Sequence, residues 1–231
     1  MPNIGKVFNV NLLIVLVAYP MQTENSFNIF LIRHASSLGN EGGLVSSTTE
    51  DPLSQRGRVQ ARCLSKYLNK MNLKPSFVFV SNWLRARQTA EICFPTTKML
   101  IDTRLGELDL GDSKNDSWSA FKQVDFDVNR KFNGGESRFD QYNRVREFFN
   151  ELVKDRKLQG DIFIITHAGV IECLLQYIYN IPVEEIPVFF PQNASITKLV
   201  YYDSGNLLGK RKGWMCEYFS KTVLELTEDG L

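Results

Sequence analysis

Two short apolar segments each lead into a histidine, and the chain contains only these two histidines. Arg33 and His34 follow the mostly apolar residues 27–32, and His167 follows residues 162–166. Runs of this kind predict buried strands, and the small residues after each histidine predict turns. Ligands of open α/β sheets bind just beyond the carboxyl ends of the strands. The arginine and both histidines are therefore candidates for a functional site.

Two charged residues farther along the chain can join such a site. Arg85 falls in the first turn of a predicted helix, where a cation is unfavourable unless an anion binds beside it. Its neighbour Arg87 fits an ordinary solvated helix position equally well. Glu107 lies early in an irregular stretch, residues 103–136, whose length is typical of substrate loops and lids. A lone glutamate in such a loop is usually solvated, so its involvement needs further support.

The composition argues against several classes of protein. The 231 residues fit one large domain or two small ones, and 43% hydrophobic residues can supply a substantial core. The 27 basic and 26 acidic side chains nearly cancel, so we expect no nucleic-acid partner and no attraction to a membrane. The cysteines show no C-x-x-C spacing, which argues against a zinc site and a redox dithiol. We expect them to be reduced core residues of a cytoplasmic protein: Cys63, Cys93, Cys173 and Cys216.

The first 26 residues are treated as an N-terminal extension, and residues 27–231 as a single domain. Within the extension, the apolar residues 7–19 are too short to span a bilayer as a helix, which takes about 20 apolar residues. Three interpretations stay open: a weak signal peptide, an extra strand or helix on the domain, or a functional start at Met21. A secretory route through residues 1–20 thus stays open beside the cytoplasmic location.

Strands and helices are predicted to alternate after the extension. Ser54, Ser81 and Ser137 each precede a helical pattern and are predicted N-caps, and another helix is expected after His167. The helix after Ser54 is expected to bury an apolar face formed by Val59, Cys63, Leu64, Tyr67, Leu68 and Met71. Further strands are predicted at residues 77–80, 98–101, 195–202 and 215–219. The alternation predicts an α/β fold: a three-layer α/β/α sandwich with a mostly parallel central sheet.

Three familiar phosphate-handling motifs are incomplete or missing from the sequence. Residues 205–210 fall one position short of a P-loop and lack its Ser or Thr. No cysteine has an arginine six residues later, so there is no Cys-x5-Arg phosphatase loop. The Asp125 and Asp127 pair is like that of aspartate-based phosphatases but follows no apolar strand. Two histidines far apart, without His-Glu-x-x-His, argue against a metal, and we expect no cofactor.

A series of short motifs runs in a fixed order along the chain. They are Arg33-His34 with Asn40, residues 51–57, residues 81–90, Glu107, and residues 135–137, 166–170 and 193–197. Together they resemble the histidine phosphatase superfamily, in the branch that includes the phosphoglycerate mutases. The resemblance covers about residues 27–200, and the combination is far more specific than any one motif. Two departures are Ala35 in place of the usual glycine and Asp-Ser-Lys at residues 112–114 in place of the usual Trp-Glu-Gly.

The resemblance implies a phosphoglycerate mutase-like fold and a metal-independent phosphatase that hydrolyses phosphomonoesters. His34 is expected to attack phosphorus and become a phosphohistidine. Glu107 is expected to protonate the leaving oxygen and then to activate water. The departure at residues 112–114 lies in the loop of this acid. The implied partner is a small phosphorylated substrate or a phosphoprotein.

The resemblance also implies how the phosphoryl group is held. Its cationic cage is expected to consist of Arg33, Arg85 and His167. Asn40 is expected to help bind the phosphoryl group. Arginine suits this role because its guanidinium can form two parallel hydrogen bonds to phosphate oxygens.

Two other functions stay open on the sequence, and so does the oligomeric state. A mutase of this family would return the phosphoryl group from His34 to another hydroxyl of the substrate. Residues 112–136 do not resemble the basic, proline-rich loop of the mutases we compare, so hydrolysis is favoured. The second alternative is a catalytically idle binding module with the same fold.

Because every motif lies after residue 26, we expect residues 1–20 to be dispensable for folding and catalysis. A chain that starts at Met21 should be as soluble and as active as the full-length chain. Size-exclusion chromatography and a phosphate-release assay on both chains test this expectation. Aggregation of the shorter chain would instead make the apolar residues 7–19 part of the core.

Overall fold

The computed structural model describes residues 27–43, 48–113, 127–155, 160–185, 188–204 and 211–223. The strands in these ranges are β1 (Phe27–Arg33), β2 (Phe77–Ser81), β3 (Met99–Asp102), β4 (Gly160–Thr166), β5 (Ile196–Ser204) and β6 (Arg211–Lys221). The helices are α1 (Leu38–Glu41), α2 (Gln55–Lys70), α3 (Leu84–Cys93), α4 (Arg138–Lys154) and α5 (Ala168–Tyr179). Two 3-10 turns, Thr103–Leu105 and Gly111–Ser113, lie in the irregular stretch after β3.

All six strands form one sheet in the order β3-β2-β4-β1-β5-β6. The first four strands of this order run parallel, and β5 and β6 add to the edge in antiparallel pairs. The prediction of a mostly parallel sheet is therefore confirmed. Because β2, β4 and β1 are neighbours, their carboxyl ends lie side by side at one edge of the sheet. Those ends are Ser81, Thr166 and Arg33.

The sheet is covered on both faces, so the three-layer sandwich is confirmed. Alternate residues of β1 point to opposite faces, as the strand pleat requires. Ile29 and Leu31 belong to a core that also contains apolar residues of α4 and α5. Phe30 and Ile32 belong to a second core, with apolar residues of α2 and α3. The two cores clamp the sheet between two helical layers.

Local capping predictions held at two serines and failed at the third. Ser54 caps α2 through a 2.9 Å bond from the Gly57 amide to its hydroxyl, and Ser137 caps α4 through a capping box. Ser81 was expected to cap the next helix, and this prediction is wrong. Ser81 ends β2, and α3 begins only at Leu84 with Trp83 as its N-cap. The Ser81 hydroxyl accepts a 3.2 Å bond from the amide of Trp83, ahead of the helix, and also bonds to a side chain of the site described below.

The predicted apolar face of α2 is only partly correct. Leu64, Tyr67 and Leu68 are buried, and they share the inner face with Ala61. Val59, Cys63 and Met71 are exposed. Val59 and Cys63 stand on the other side of the helix from Ala61, because a displacement of two residues turns the helix by about 200°. The expectation that every cysteine belongs to the core is accordingly wrong for Cys63.

The remaining expectations concern the turn after His34, the other strands, and segments that the structure does not describe. The turn predicted after His34 contains a one-turn helix, α1, with its own capping box. The remaining predicted strands agree with β3, β5 and β6 to within a few residues. The extension 1–26, residues 205–210 and Asp125 lie outside the described residues. None of the helices within the described ranges is long and apolar enough to cross a membrane.

A close backbone contact seats α2 against the turn that follows β1. The Ser36 carbonyl oxygen accepts a 3.0 Å bond from the Ser54 amide. A Cβ atom at Gly57 would lie 1.9 Å from the same oxygen. Only a residue without a side chain fits here, so Gly57 sets how closely α2 approaches the segment that carries His34.

Replacing Gly57 with alanine should destabilise the protein although alanine favours helices. The added methyl group must push the Ser36 carbonyl away, which we expect to cost about 1–3 kcal/mol of unfolding free energy. Urea denaturation measures the change. Val59→Ala is the matched control, because Val59 is 47% exposed in the same helix and should change stability by no more than about 0.5 kcal/mol. Equal stability of the two variants would contradict this account.

Candidate active site

The two histidines meet at the carboxyl ends of β1 and β4. These strands pair in parallel with Arg33 opposite Thr166, so the next residue on each strand falls at the same place. The rings of His34 and His167 are 5.0 Å apart between centroids and inclined by 59°. Both side chains are buried, with 2% and 0% of their surface exposed. The sequence prediction that these residues form one site agrees with this arrangement.

His34 is held with a defined proton position. Its Nδ1 lies 2.8 Å from the Ala35 carbonyl oxygen, which can only accept a hydrogen bond. Nδ1 therefore carries the proton, and Nε2 keeps its lone pair. That lone pair accepts a 3.1 Å bond from Nε of Arg85. A neutral imidazole with a free Nε2 lone pair is the nucleophilic form of histidine.

The surroundings of His34 keep it neutral. Burial lowers its pKa well below the ordinary value of 6.5, and the positive charges of Arg85 and Arg33 lower the pKa further. The hydrogen bond to Ala35 acts in the opposite direction but is the smallest of these effects. His34 is consequently unprotonated at neutral pH.

Arg85 lies on the first turn of α3, as predicted, and is 2% exposed. Its Nη1 donates to the Thr48 carbonyl at 3.0 Å and lies 3.8 Å from a carboxylate oxygen of Asp51. Its guanidinium carbon stands 4.6 Å from the centre of the Trp83 ring. Burial lowers the pKa of Arg85 to about 10, against the raising effect of Glu107 and Asp51. The side chain therefore stays cationic at neutral pH.

Arg33 approaches the same cluster from the end of β1. Its Nη1 donates to the Pro191 carbonyl at 2.7 Å, and its guanidinium carbon stands 5.3 Å from the centre of the Phe190 ring. Burial lowers the pKa of Arg33, and the negative charge of Glu107 raises it. Its buried Nε has no hydrogen-bond partner among the described residues. This N–H group is thus a donor that an anion can satisfy.

His167 is the N-cap residue of α5 and completes the cluster. Its Nε2 lies 2.9 Å from the Ser81 hydroxyl, and its ring is 5.0 Å from that of Trp83 in an edge-on contact. Burial and the charge of Arg85 are the leading causes that lower the pKa of His167 well below its ordinary value. Nδ1 is buried and has no hydrogen-bond partner in the described part of the chain.

Glu107 faces the cluster from the loop after β3. Its Oε1 accepts bonds from the Leu108 amide at 3.0 Å and from Nε2 of Gln141 at 2.9 Å. Its Oε2 accepts a 3.2 Å bond from the amide of Gly169, two residues past His167. A Cβ atom at Gly169 would lie 2.4 Å from Oε1, so a side chain there would displace the carboxylate.

The loop of Glu107 is tied to the sheet and to α4. The Thr166 hydroxyl donates to the Leu105 carbonyl at 2.7 Å. Nη2 of Arg144 donates to the Glu107 carbonyl at 3.1 Å, and the same guanidinium forms an ion pair with Glu136. Asp112, in the segment that departs from the family pattern, binds the Asn133 carbonyl through its own amide. Despite the departure, the carboxylate of Glu107 bonds to the Gly169 amide and interacts by charge with Arg33 and Arg85.

Asn40 lies next to the cluster rather than within it. Its Oδ1 accepts bonds from the Ser37 amide and from Nδ2 of Asn193, both at 3.2 Å. Nδ2 of Asn193 also donates to the His34 carbonyl at 3.0 Å. Asn40 is thus linked to His34 through Asn193, and its role in binding phosphate stays a prediction.

The roles of three residues in and around the site were not predicted from the sequence. Ser81 was assigned to a helix cap, although its place at a third strand end was a usable signal. Gln141 and Arg138 lie on α4 within a pattern dominated by apolar and charged residues. Nothing in that pattern indicates that Gln141 bonds to Glu107 or that Arg138 bonds to Gln141.

The described residues contain no group of three His, Cys, Asp or Glu side chains that could hold a metal ion. The cluster instead presents two arginines, two neutral histidines and a carboxylate at the edge of a parallel sheet. Cations with unsatisfied N–H donors suit a bound phosphoryl group, because its oxygens accept hydrogen bonds and carry negative charge. The fold and site thus define an α/β protein whose buried cluster suits a phosphate-type anion. That its chemistry needs no metal stays a prediction.

Comparison with known proteins identifies the family. The family model for the histidine phosphatase superfamily (branch 1) matches residues 29–211. The chain belongs to this superfamily. The resemblance inferred from the motifs is therefore confirmed, and with it the fold class.

Three curated relatives carry phosphatase names. The chain is 30% identical over 183 residues to a probable fructose-2,6-bisphosphatase of Schizosaccharomyces pombe, covering 74% of this chain and 43% of that protein. It is 27% identical over 194 residues to glucosyl-3-phosphoglycerate phosphatase of Mycobacterium tuberculosis, covering 74% of this chain and 84% of that enzyme. A 6-phosphofructo-2-kinase/fructose-2,6-bisphosphatase of Caenorhabditis elegans is matched over 38% of its length. The chain thus spans less than half of the fructose-2,6-bisphosphatase-type relatives.

Solved structures agree with this family. A mycobacterial glucosyl-3-phosphoglycerate phosphatase in complex with VO3 matches with a TM-score of 0.71 and 25% identity. The match covers 85% of this chain and 100% of that one. A structure described as mycobacterial hydrolase 1 has a TM-score of 0.73 at 24% identity, with 85% and 99% coverage, which supports the shared fold.

The stability of the protein should fall as the pH drops below about 6.5. The unfolded chain takes up protons on both histidines near their ordinary pKa of 6.5, whereas the folded protein keeps both neutral to lower pH. The unfolded state then binds more protons, so the free energy of unfolding rises with pH across this window. Two such groups give a limiting slope of about 2.7 kcal/mol per pH unit.

Urea denaturation at several pH values between about 5.5 and 7.5, a range centred on the ordinary histidine pKa, measures this slope. The variant His34→Asn removes one of the two groups and should roughly halve the slope. An unchanged slope in the variant would show that His34 is protonated in the folded state.

Proposed function

We propose that this protein is a phosphatase that hydrolyses phosphomonoesters through a phosphohistidine on His34. The observation that carries the proposal is the state of His34: it is neutral, its Nδ1 proton is held by Ala35, and its Nε2 lone pair is directed into a buried cluster with Arg85. Membership of the histidine phosphatase superfamily and the phosphatase names of the relatives support the same activity.

The phosphoryl group would bind between the arginines and the histidines. Nε of Arg33 and Nδ1 of His167 are buried without partners among the described residues. The Arg33 Nε–H can donate to a phosphoryl oxygen, and Nδ1 of His167 can do so when the ring proton is on that nitrogen. Arg85 would move its Nε–H from the His34 ring to a phosphoryl oxygen. That exchange frees the Nε2 lone pair for attack and keeps the donor satisfied.

His34 Nε2 would then attack phosphorus in line with the leaving oxygen. The bond from phosphorus to the leaving oxygen breaks as the new nitrogen–phosphorus bond forms. The Ala35 carbonyl bonds to Nδ1–H and stabilises the positive charge that develops on the ring. The two arginines neutralise the charge on the phosphoryl oxygens.

Glu107 is the proposed proton donor and later the base. Its carboxylate is close enough to Arg33 and Arg85 for their charges to interact. The protonated acid would give its proton to the leaving oxygen. The resulting carboxylate would take a proton from the water that hydrolyses the phosphohistidine, which returns the site to its starting state.

We infer that the substrate is a small phosphorylated molecule. The relatives are named for fructose-2,6-bisphosphate and glucosyl-3-phosphoglycerate, which makes phosphorylated metabolites the first compounds to screen. A cytoplasmic location is supported by the cysteines, all four of which are unpaired. A single domain over residues 27–231 is supported by the one sheet that contains every described strand.

The variants His34→Ala and Glu107→Gln should fail at different steps. His34→Ala removes the nucleophile, so labelling by a ³²P-phosphorylated substrate and turnover should both fall to background. Glu107→Gln keeps the nucleophile but cannot transfer a proton. With a 4-nitrophenyl ester, whose leaving group needs no proton, the variant should form an acid-labile, base-stable phosphoenzyme that persists. Turnover should fall by roughly 10²–10⁴-fold.

All of these assays are run with a chelator, which should leave the wild-type rate unchanged. Asp109→Asn is the matched control, because it removes a carboxylate from the same loop and should retain turnover.

Label that survives His34→Ala would place the nucleophile elsewhere. Wild-type turnover in Glu107→Gln would assign the proton transfer to another carboxylate, and loss of activity in the chelator would refute the metal-free mechanism. Transfer of the label to a second hydroxyl of the substrate would identify a mutase.

A further inference from the structure

A chain of buried polar side chains extends from Glu107 into the protein. Gln141 bonds to the Glu107 carboxylate, and its amide oxygen accepts a 2.7 Å bond from Nη1 of Arg138. Arg138 is 4% exposed and Gln141 is fully buried. The proposed mechanism uses neither residue, although burying a charged guanidinium is costly unless it is fully paired.

Arg138 is paired on several sides within the helical layer. Its Nη2 forms a 3.0 Å ion pair with Glu172 on α5 and a 3.2 Å bond to Gln176. Its Nη1 also donates to the Gly169 carbonyl at 3.0 Å. The second carboxylate oxygen of Glu172 accepts a 2.7 Å bond from the Val188 amide. The two Nη groups are therefore fixed chiefly by α5, whereas the buried Nε has no hydrogen-bond partner among the described residues.

The fixed guanidinium determines which way the Gln141 amide faces. A guanidinium only donates hydrogen bonds, so the group of Gln141 that faces Arg138 must be the oxygen. The NH2 group then faces Glu107 and donates to Oε1 at 2.9 Å. Rotating the amide would set an NH2 group against the guanidinium and an oxygen against the carboxylate. Both contacts would be repulsive or unsatisfied.

The two oxygens of Glu107 consequently differ. Oε1 accepts from Gln141 and from the Leu108 amide, which occupies both of its lone pairs. Among the described residues, Oε2 accepts one bond, the longer 3.2 Å bond from the Gly169 amide. A proton on Oε1 would displace one of the two donors, whereas Oε2 has a lone pair to spare.

We propose that Gln141, held in place by Arg138, is a positioning residue that keeps the transferable proton of Glu107 on Oε2. The inference rests on the proposed function, because it concerns the acid of that reaction. Its structural part, the fixed amide that donates to Glu107, stands without any activity.

Kinetics with two leaving groups tests the catalytic part. Gln141→Glu keeps an oxygen for Arg138 but presents an oxygen to Glu107, which draws the proton to Oε1. We expect kcat for an alkyl phosphate to fall by roughly tenfold or more, as part of the effect of proton transfer. The rate of phosphoenzyme formation from a 4-nitrophenyl ester, which needs no proton, should change less than about threefold by the same reasoning. Gln141→Leu should shift the ratio in the same direction.

Asn150→Leu is the matched control on α4. Asn150 accepts a 2.9 Å bond from the Tyr177 hydroxyl of α5 and makes no described contact with Glu107. Loss of this hydrogen bond weakens the packing of α4 against α5. It should leave unchanged the ratio of the rate with the alkyl phosphate to the rate with the 4-nitrophenyl ester. An equal loss with both substrates in the Gln141 variants would mean a merely structural role and would overturn the proposal.

NMR of the Gln141 side-chain NH2 group tests the structural part independently of turnover. In the ¹⁵N-labelled full-length chain, the signal is assigned by its loss in Gln141→Leu. We expect one of its protons to exchange slowly with water, and Glu107→Ala to abolish that protection. If the Gln141 NH2 protons exchange equally slowly in the wild type and in Glu107→Ala, the proposal is overturned, even where the wild-type chain is an active phosphatase. A protected NH2 group in a chain that releases no phosphate would refute the proposed function and leave the orientation of Gln141 intact.

Discussion

The parallel pairing of β1 with β4 is the interaction on which the site depends. It places Arg33 opposite Thr166, and the His34 amide continues the ladder with a 2.9 Å bond to the Thr166 carbonyl. The two histidines are 133 positions apart in sequence, yet this ladder brings their rings to 5.0 Å. A register shift of one residue would turn every β1 side chain to the opposite face and remove the apolar residues from both cores.

The site concentrates donors and positive charge in a buried place, and the rest of the structure offsets the cost. Burial and neighbouring arginines keep both histidines neutral, so the cluster does not add two more cations to those of Arg33 and Arg85. Asp51 and Glu107 supply negative charge close to Arg85. Nε of Arg33 and Nδ1 of His167, two buried atoms without a partner in the described part of the chain, are atoms that a phosphoryl group could satisfy. Such unsatisfied buried groups are expected where a protein gives up stability for function.

Predictions from the sequence succeed where the deciding interaction joins residues close together in the chain, and fail where it joins residues far apart. Ser54 and Ser137 cap helices by bonding to amides three residues away, so a local pattern identifies them. Ser81 looks the same in sequence, but its hydroxyl bonds to His167, 86 positions along the chain. The inner face of α2 was also misjudged, because apolar Val59 and Cys63 suggested a stripe that the packing against the sheet does not use. Hydrophobic periodicity shows that a helix has an apolar face but not always which face is buried.

Local sequence patterns were enough to predict the order of the strands and helices and the position of His34 and His167 directly after two apolar runs. Those features depend on local periodicity, which also marked Arg33 as a candidate. Helix position and loop length marked Arg85 and Glu107, and the family motifs then supported all three. Which atoms meet became clear from the fold alone: the Nε2 lone pair of His34 faces Arg85, and the Glu107 carboxylate bonds to Gln141 and Gly169. The physical reason is that a hydrogen bond depends on distances of a few tenths of an ångström and on donor direction. The packing of separate elements sets both, and no pattern within one element records them.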